Sequence, residues 1–156
     1  MPKVFKIGIT KNKNQVIQEA KEINLIAGKG IIGDRNFHEY NDGRYDDLHK
    51  DGRKQLTLIE SENIDYYNEK FNLKIPYLNF RRNIITKYIK LNDLVGKKLI
   101  IGKTEIRGID LCRPCKSLQK NLGQDNIIKE FLRKGGLRCE ILTSTNIKVG
   151  DEIKVL

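Results

Sequence analysis

The run Leu111-Cys112-Arg113-Pro114-Cys115-Lys116 carries the side chains of this chain best suited to chemistry. It follows a strand pattern and precedes a helix pattern. Proline is well placed to begin a helix, because its fixed φ fits the first turn and its missing N–H is not needed there. That expectation puts Cys115 in the first turn, where free N–H groups and the helix dipole favour a thiolate. Arg113 and Lys116 add positive charge on either side. The expected outcome is a Cys115 thiol of lowered pKa, acting as a nucleophile or a soft metal ligand. Cys112, at the strand end, serves equally well as a small buried apolar group.

A C-x-x-C spacing also belongs to thioredoxin-like redox sites, but those expect a βαβ context, which the surrounding pattern does not show. A closed zinc site wants four ligands, and there is no second C-x-x-C. Cys139 with His38 or His49 would be needed to complete one, and no spacing supports it. Cys139, in Leu137-Arg138-Cys139-Glu140-Ile141, reads as a strand residue, and the two histidines read as exposed members of a polar loop.

Two further groups suit an anion. Arg81 to Lys103 holds seven basic residues against Asp93 alone, and Arg113 to Arg138 holds seven against Asp125 and Glu130. Within the first, Arg81-Arg82-Asn83 places two guanidiniums and an amide together, a set that grips phosphate or carboxylate. In an extended run the two arginines point to opposite faces, so one of them at most is expected at a given site. Gly33-Asp34-Arg35 is a tight glycine turn with an Asp–Arg pair, suited to shaping a loop or orienting an arginine.

Many short strands must position these groups. Strand patterns cover Val4–Ile9, Ile23–Ala27, Lys54–Ile59, Asn83–Ile89 and Leu137–Leu142, with Glu152–Val155 last, joined through Val149-Gly150-Asp151. Lys97–Ile101 and Thr104–Asp110 flank Gly102-Lys103 as a hairpin. Gln15–Glu22 fits helix or strand. Ser61 reads as the N-cap of a helix running to about Phe71. Asp125 reads as the cap of a second, with an apolar stripe of Ile127, Ile128, Phe131 and Leu132 that stops at Gly135-Gly136. Residues 33–54 are nearly free of apolar side chains and read as a long irregular segment of the functional or mobile kind. The expected fold is one domain over residues 1–156, mostly β with short helices (α+β), closing into a β-barrel.

Composition agrees. The 156 residues are 38% apolar and 32% charged, as in a globular protein. No apolar run approaches the roughly 18–20 residues of a membrane span, and the first residues lack the apolar core of a secretory signal. Three cysteines suit a reducing compartment, so the expected location is cytoplasmic. The formal charge is +10, split as +2 over residues 1–60 and +8 over 61–156. A positive field of this kind draws anions, although a lysine-rich surface also arises without any partner.

Taken in order, the motifs resemble those of the MOSC domain family, the molybdenum-cofactor sulfurase C-terminal domain. Gly30-Ile31-Ile32-Gly33-Asp34-Arg35 is similar to its Gly-x-x-Gly-Asp-Arg/Ala element, and Gln55-Leu56-Thr57-Leu58-Ile59 to its Gln-Val-Ser/Thr-Leu strand. Arg82-Asn83-Ile84 and Val95-Gly96-Lys97-Lys98-Leu99-Ile100-Ile101-Gly102 follow. Cys112-Arg113-Pro114-Cys115 resembles the Pro-Cys element and places the key cysteine at Cys115. Gly135-Gly136-Leu137-Arg138 and Val149-Gly150-Asp151 resemble the closing pattern. Two departures stand out. Asn36 and Phe37 intervene before His38 where the family commonly has a histidine directly after Gly-Asp-Arg, and Arg81-Arg82-Asn83-Ile84 replaces Gly-Glu-Asn-Leu.

The resemblance implies a MOSC-type closed barrel, similar to the pyruvate-kinase β-barrel. It also implies molybdenum-cofactor chemistry in one of two forms. Cys115 either carries sulfur as a persulfide or ligates the molybdenum of a bound molybdopterin, with reduction of N-hydroxylated compounds as the enzymatic form. Arg82, Asn83, Lys116 and Arg138 are then expected on the cofactor side, with Gly33, Asp34 and Arg35 shaping the opposite wall. Implied partners are a cysteine desulfurase or molybdenum-cofactor enzymes. The desulfurase domain of longer members is missing from this sequence, so no pyridoxal phosphate is expected here. A non-enzymatic basic barrel binding RNA or another polyanion is the alternative. Its weakness is the 7% aromatic content without tryptophan, which leaves few stacking platforms.

Overall fold

The computed structural model describes residues 1–12, 15–37 and 55–156. His38, His49 and most of the long polar segment lie outside the described residues. Strands are β1 (Lys3–Ile9), β2 (Gln18–Ala20), β3 (Glu22–Ile26), β4 (Gly30–Ile31), β5 (Leu56–Glu60), β6 (Ile84–Lys87), β7 (Lys98–Ile101), β8 (Thr104–Leu111), β9 (Leu137–Ile141), β10 (Thr145–Lys148) and β11 (Ile153–Val155). Helices are α1 (Ser61–Lys70), α2 (Lys116–Leu122) and α3 (Ile127–Glu130), and short 3₁₀ turns occupy Tyr77–Phe80 and Leu91–Leu94. The undecided segment before β3 is therefore a strand in part. A strand that alternation did not reveal, β10, lies between β9 and β11. Neither helix start is capped as expected: Glu60 precedes α1, whose first residue is Ser61, and Asn126 rather than Asp125 precedes α3.

Eight strands form one sheet in the order β11-β7-β8-β9-β5-β6-β1-β2, and β10-β3-β4 form a second. The large sheet curls until its two sides meet at one end. Ile153 N–H donates to the Pro2 carbonyl at 2.9 Å, Val4 N–H to Asp151 at 2.9 Å and Gly150 N–H to Val4 at 2.8 Å. These bonds satisfy backbone groups that an open edge would expose. The interior is aliphatic, with Ile7, Leu56, Leu58, Ile84, Leu99, Ile106 and Leu137 fully buried, and the small sheet adds Ile23, Leu25, Ile31 and Ile147.

The β7–β8 hairpin forms as its sequence predicts, with Ile101 opposite Thr104 across Gly102-Lys103. Gly102 adopts φ +61°, the left-handed conformation such a turn requires. The exception to antiparallel pairing among the named strands is β5 beside β6. Parallel neighbours need a crossover, and α1 provides it, so the fold does contain a βαβ unit. The C-x-x-C run is not part of that unit: it follows β8, a strand antiparallel to both its partners.

That crossover explains why β5 and β6 do not alternate cleanly. Leu58 and Ile84 face the barrel interior, while Ile59 and Ile85 face outward into a second core beneath the helices. Both faces are covered, so both can be apolar. The outer core is aromatic: Phe131 packs against Tyr67 and Phe80 with ring centres 5.2 and 5.0 Å away. Leu118 of α2 and Ile127 of α3 are buried in it. Burying each such side chain contributes about 2 kcal/mol, and this packing anchors the two short helices that flank the cysteine run.

Candidate functional site

Three of the sequence motifs meet in one buried hydrogen-bond network. Asn83, just before β6, accepts at Oδ1 from the Thr57 N–H and hydroxyl, both 3.2 Å away. Its Nδ2 donates to the Gly8 carbonyl at 3.1 Å and to Asp34 Oδ1 at 3.5 Å. Asp34 in turn accepts from the Thr10 N–H at 3.1 Å and the Asn36 N–H at 3.3 Å. Gly33 precedes it with φ +88°, a conformation that a residue with a Cβ adopts only under strain. Both Asn83 and Asp34 are buried, and buried polar groups fully partnered in this way fix the segments they join. The network ties the loop after β1, the Gly-Asp-Arg turn, β5 and the entry to β6 into one frame.

That frame presents Arg35 and Arg82 to a cleft of about 650 Å³. Arg81 enters it too, because Arg81 is not extended. It sits at φ +64°, closing the 3₁₀ turn, so the expectation that the two arginines face apart fails. Lys11, Asn12 and Asn36 complete this wall. Arg81 Nη1 donates to the Gln15 carbonyl at 2.8 Å, and Arg82 Nε to the Gly135 carbonyl at 2.9 Å. Partial burial pushes the Arg35 pKa below the usual arginine range, with the Arg81 charge adding to it and Asp34 opposing. Among the described residues, no carboxylate lines the cleft. Three guanidiniums and an ammonium crowded on one cleft favour an anion in the electrostatic sense.

The opposite wall is α2 and its approach. Cys115 is exposed and lines the cleft with Ser117, Leu118 and Asn121. Helix α2 begins at Lys116, so Cys115 is the N-cap in an extended conformation rather than a first-turn residue. Its carbonyl accepts from the Gln119 N–H at 3.2 Å.

Cys112 behaves differently. It is buried, and burial pushes its thiol pKa up, against the pull of Arg82 and Arg138. Cys139 of β9 is wholly buried, and burial raises its thiol pKa further. The main chain here is tightly threaded. Cys112 N–H donates to Gly136 at 2.8 Å, and a Cβ on Gly135 would collide with the Cys112 carbonyl, one on Gly136 with that of Leu58. This close approach is why the Gly-Gly pair is required.

The residues singled out from sequence thus divide. Cys115, Arg35 and Arg82 line one cleft, while Gly33, Asp34 and Asn83 lie behind its wall as a frame. Lys116 faces a separate shallow groove with Gln119 and Lys120. Arg138 forms two hydrogen bonds of 2.7 Å with Asp110 and does not line the cleft. Sequence reasoning missed Lys11, Asn12, Asn36, Ser117, Leu118 and Asn121. Of these, only Ser117 and Asn121 left a signal, their four-residue spacing on one helix face. Among the described residues, no group of three or more His, Cys, Asp or Glu could hold a metal ion, and no helix is long and apolar enough to cross a membrane.

Comparison with known proteins bears on this geometry. The profile of the MOSC domain matches residues 36–154. No curated protein sequence matches the chain. The fold is similar to the crystal structure of the YuaD protein from Bacillus subtilis, with TM-score 0.82 and 18% identity over 99% of this chain and 96% of that one. It is similar to YiiM from Geobacillus stearothermophilus, with TM-score 0.75 and 13% identity over 100% and 75% of the two chains. It also resembles YiiM from Escherichia coli, with TM-score 0.68 and 16% identity over 99% and 69%. At these identities the likeness is one of fold.

Proposed function

Because the chain belongs to the MOSC domain family, we propose that it acts in molybdenum-cofactor chemistry, with Cys115 as the thiol that carries sulfur or ligates molybdenum. The observation that carries this reading is the pairing of one exposed thiol with three guanidiniums in a single cleft.

The donor set fits a pterin cofactor. A lone thiol is a soft ligand, and among the described residues there is no cluster of His, Cys, Asp or Glu to add to it, which suits a metal that brings its remaining ligands with the cofactor. Arg35, Arg81 and Arg82 would hold the cofactor's phosphate, since planar guanidiniums pair with phosphate through parallel hydrogen bonds. Asn12, Asn36, Ser117 and Asn121 supply neutral donors and acceptors for a heterocycle. Bound molybdenum would supply two-electron redox chemistry, and the chain's own part is to bind the anion and present the thiol. The residues suit the sulfur-carrier form as well. The Cys115 thiolate attacks the terminal sulfur of a donor persulfide, the S–S bond breaks, and the donor leaves as a thiolate with its electron pair. Arginines nearby stabilise the anionic persulfide product.

The test compares wild-type protein and Cys115→Ser, each purified from a host that makes molybdopterin and assayed for bound pterin and for sulfur released by cyanide. Pterin that depends on Cys115 establishes the ligand form, and cyanide-labile sulfur that depends on it establishes the carrier form. If neither depends on Cys115, the proposal fails, and salt-sensitive binding of a polyanion becomes the reading to pursue.

A further inference from the structure

The apolar stripe expected on the helix after Asp125 does not go inward as a unit. Ile127 and Phe131 are buried in the outer core, but Ile128 is 37% and Leu132 67% exposed. These two turn toward a second cavity of about 460 Å³, whose apolar lining they share with Leu111 and Pro114. It has no lining residue in common with the cleft at Cys115.

The charge at this cavity is one-sided. Asp110 lines it, but its carboxylate is held by both hydrogen bonds from Arg138. Arg113 and Arg133 line it as well. Both are exposed, and neither has an ion-pair partner among the described residues. Arg133 adopts φ +61°, and its carbonyl accepts from Asn92 Nδ2 at 2.7 Å, so the turn that carries it is held in place. A non-glycine residue in that conformation is uncommon and persists only where its surroundings fix it.

We propose that this cavity binds a small organic anion with an apolar body, a carboxylate on an aliphatic or aromatic frame. Its volume falls in the range of small-molecule sites. The apolar side chains gain by covering hydrocarbon, and a guanidinium pairs with a carboxylate in two parallel bonds. A bare phosphate or a sugar phosphate would leave the apolar lining without a partner, whereas a neutral lipid would leave two cations unanswered. The site stands independently of the cofactor proposed for the Cys115 cleft.

Decanoate is the probe, titrated into isotope-labelled full-length protein and followed by amide chemical shifts. The expected result is saturable binding, with the largest shifts at Arg113, Ile128, Leu132 and Arg133. Leu132→Asp and the double variant Arg113→Ala/Arg133→Ala each weaken binding about tenfold or more, and decanol binds at least about tenfold more weakly than decanoate. All three positions are exposed, so dispersed spectra of the variants will confirm that they fold. Equal affinity for decanoate and decanol overturns the proposal, as do shifts confined to the Cys115 cleft. An absence of saturable binding also overturns it and leaves the patch to a protein partner.

Discussion

Four residues, Cys112 to Cys115, separate two cavities whose linings are opposite in kind. On the Cys115 side three arginines and a lysine gather around an exposed thiol, with amides and a hydroxyl between them. On the Cys112 side Leu111, Pro114, Ile128 and Leu132 give an apolar floor beside Arg113 and Arg133, and the thiol is buried. The two cysteines of the C-x-x-C spacing are free, and each lines a different cavity. What distinguishes them is the scaffold. Cys115 stands at the start of a short helix pinned by Leu118, whereas Cys112 is laced to Gly136 on β9's approach. Arg82 is the link between the two sides, lining the basic cleft while its charge draws down the pKa of the Cys112 thiol against burial.

The most damaging way to break this division is to push its partition away from the sheet. Gly136→Ala puts a Cβ against the Leu58 carbonyl at φ +109°. We expect a loss of about 3–4 kcal/mol in urea unfolding, with both cavities lost together. Asn83→Ala should cost about 3 kcal/mol, because Gly8 and Thr57 keep buried polar groups without their partner. Its effect on ligands sharpens the comparison: anion binding at the Cys115 cleft falls, while decanoate binding at the second cavity is unchanged. A cleft unaffected by Asn83→Ala would show that the buried network does not position Arg35.

Arg82→Ala removes one charge-assisted contact, and pyrophosphate affinity at the cleft should fall about tenfold. A smaller effect comes from pH. The buried thiols of Cys112 and Cys139 hold their protons above the ordinary thiol pKa of 9.0. Above that value the unfolded chain sheds protons that the native chain keeps, so stability falls as pH rises through the window up to the raised native values. Urea midpoints from pH 8 to 10 should decline, and a flat profile would contradict the burial of these thiols. Least of all, Arg138→Ala should cost no more than about 1 kcal/mol, since the pair with Asp110 is partly exposed.

Much of this was legible in the residues, for physical reasons. Alternation and a Gly-Lys turn disclose β7 and β8, and the Pro-Cys run discloses Cys115. Other features depend on contacts that local pattern does not encode. Strand β10, Thr145–Lys148, has only Ile147 buried, so its sequence carries almost no alternation. Helix α3 is only four residues long, and which half of its stripe faces inward is decided by Tyr67 and Phe80 from distant segments. The convergence of Arg81 with Arg82 follows from a left-handed residue at Arg81, where sequence gives arginine no reason to be. Asn83 reads with Arg81 and Arg82 as part of an anion-gripping set because its type suits that role, yet the fold uses it, with the loop-shaping Asp34, to hold its own loops.

The central claim is that Cys115, through its position in the basic cleft, is the group on which the cofactor or its sulfur depends. Native mass spectrometry of the intact protein from a molybdopterin-producing host, beside Cys115→Ser, tests it most directly. The account predicts a mass gain in the wild type, corresponding to a metal-bound pterin or to one added sulfur atom, that disappears in Cys115→Ser while the variant remains folded. The bare chain in both samples, or the same gain in both, would contradict it.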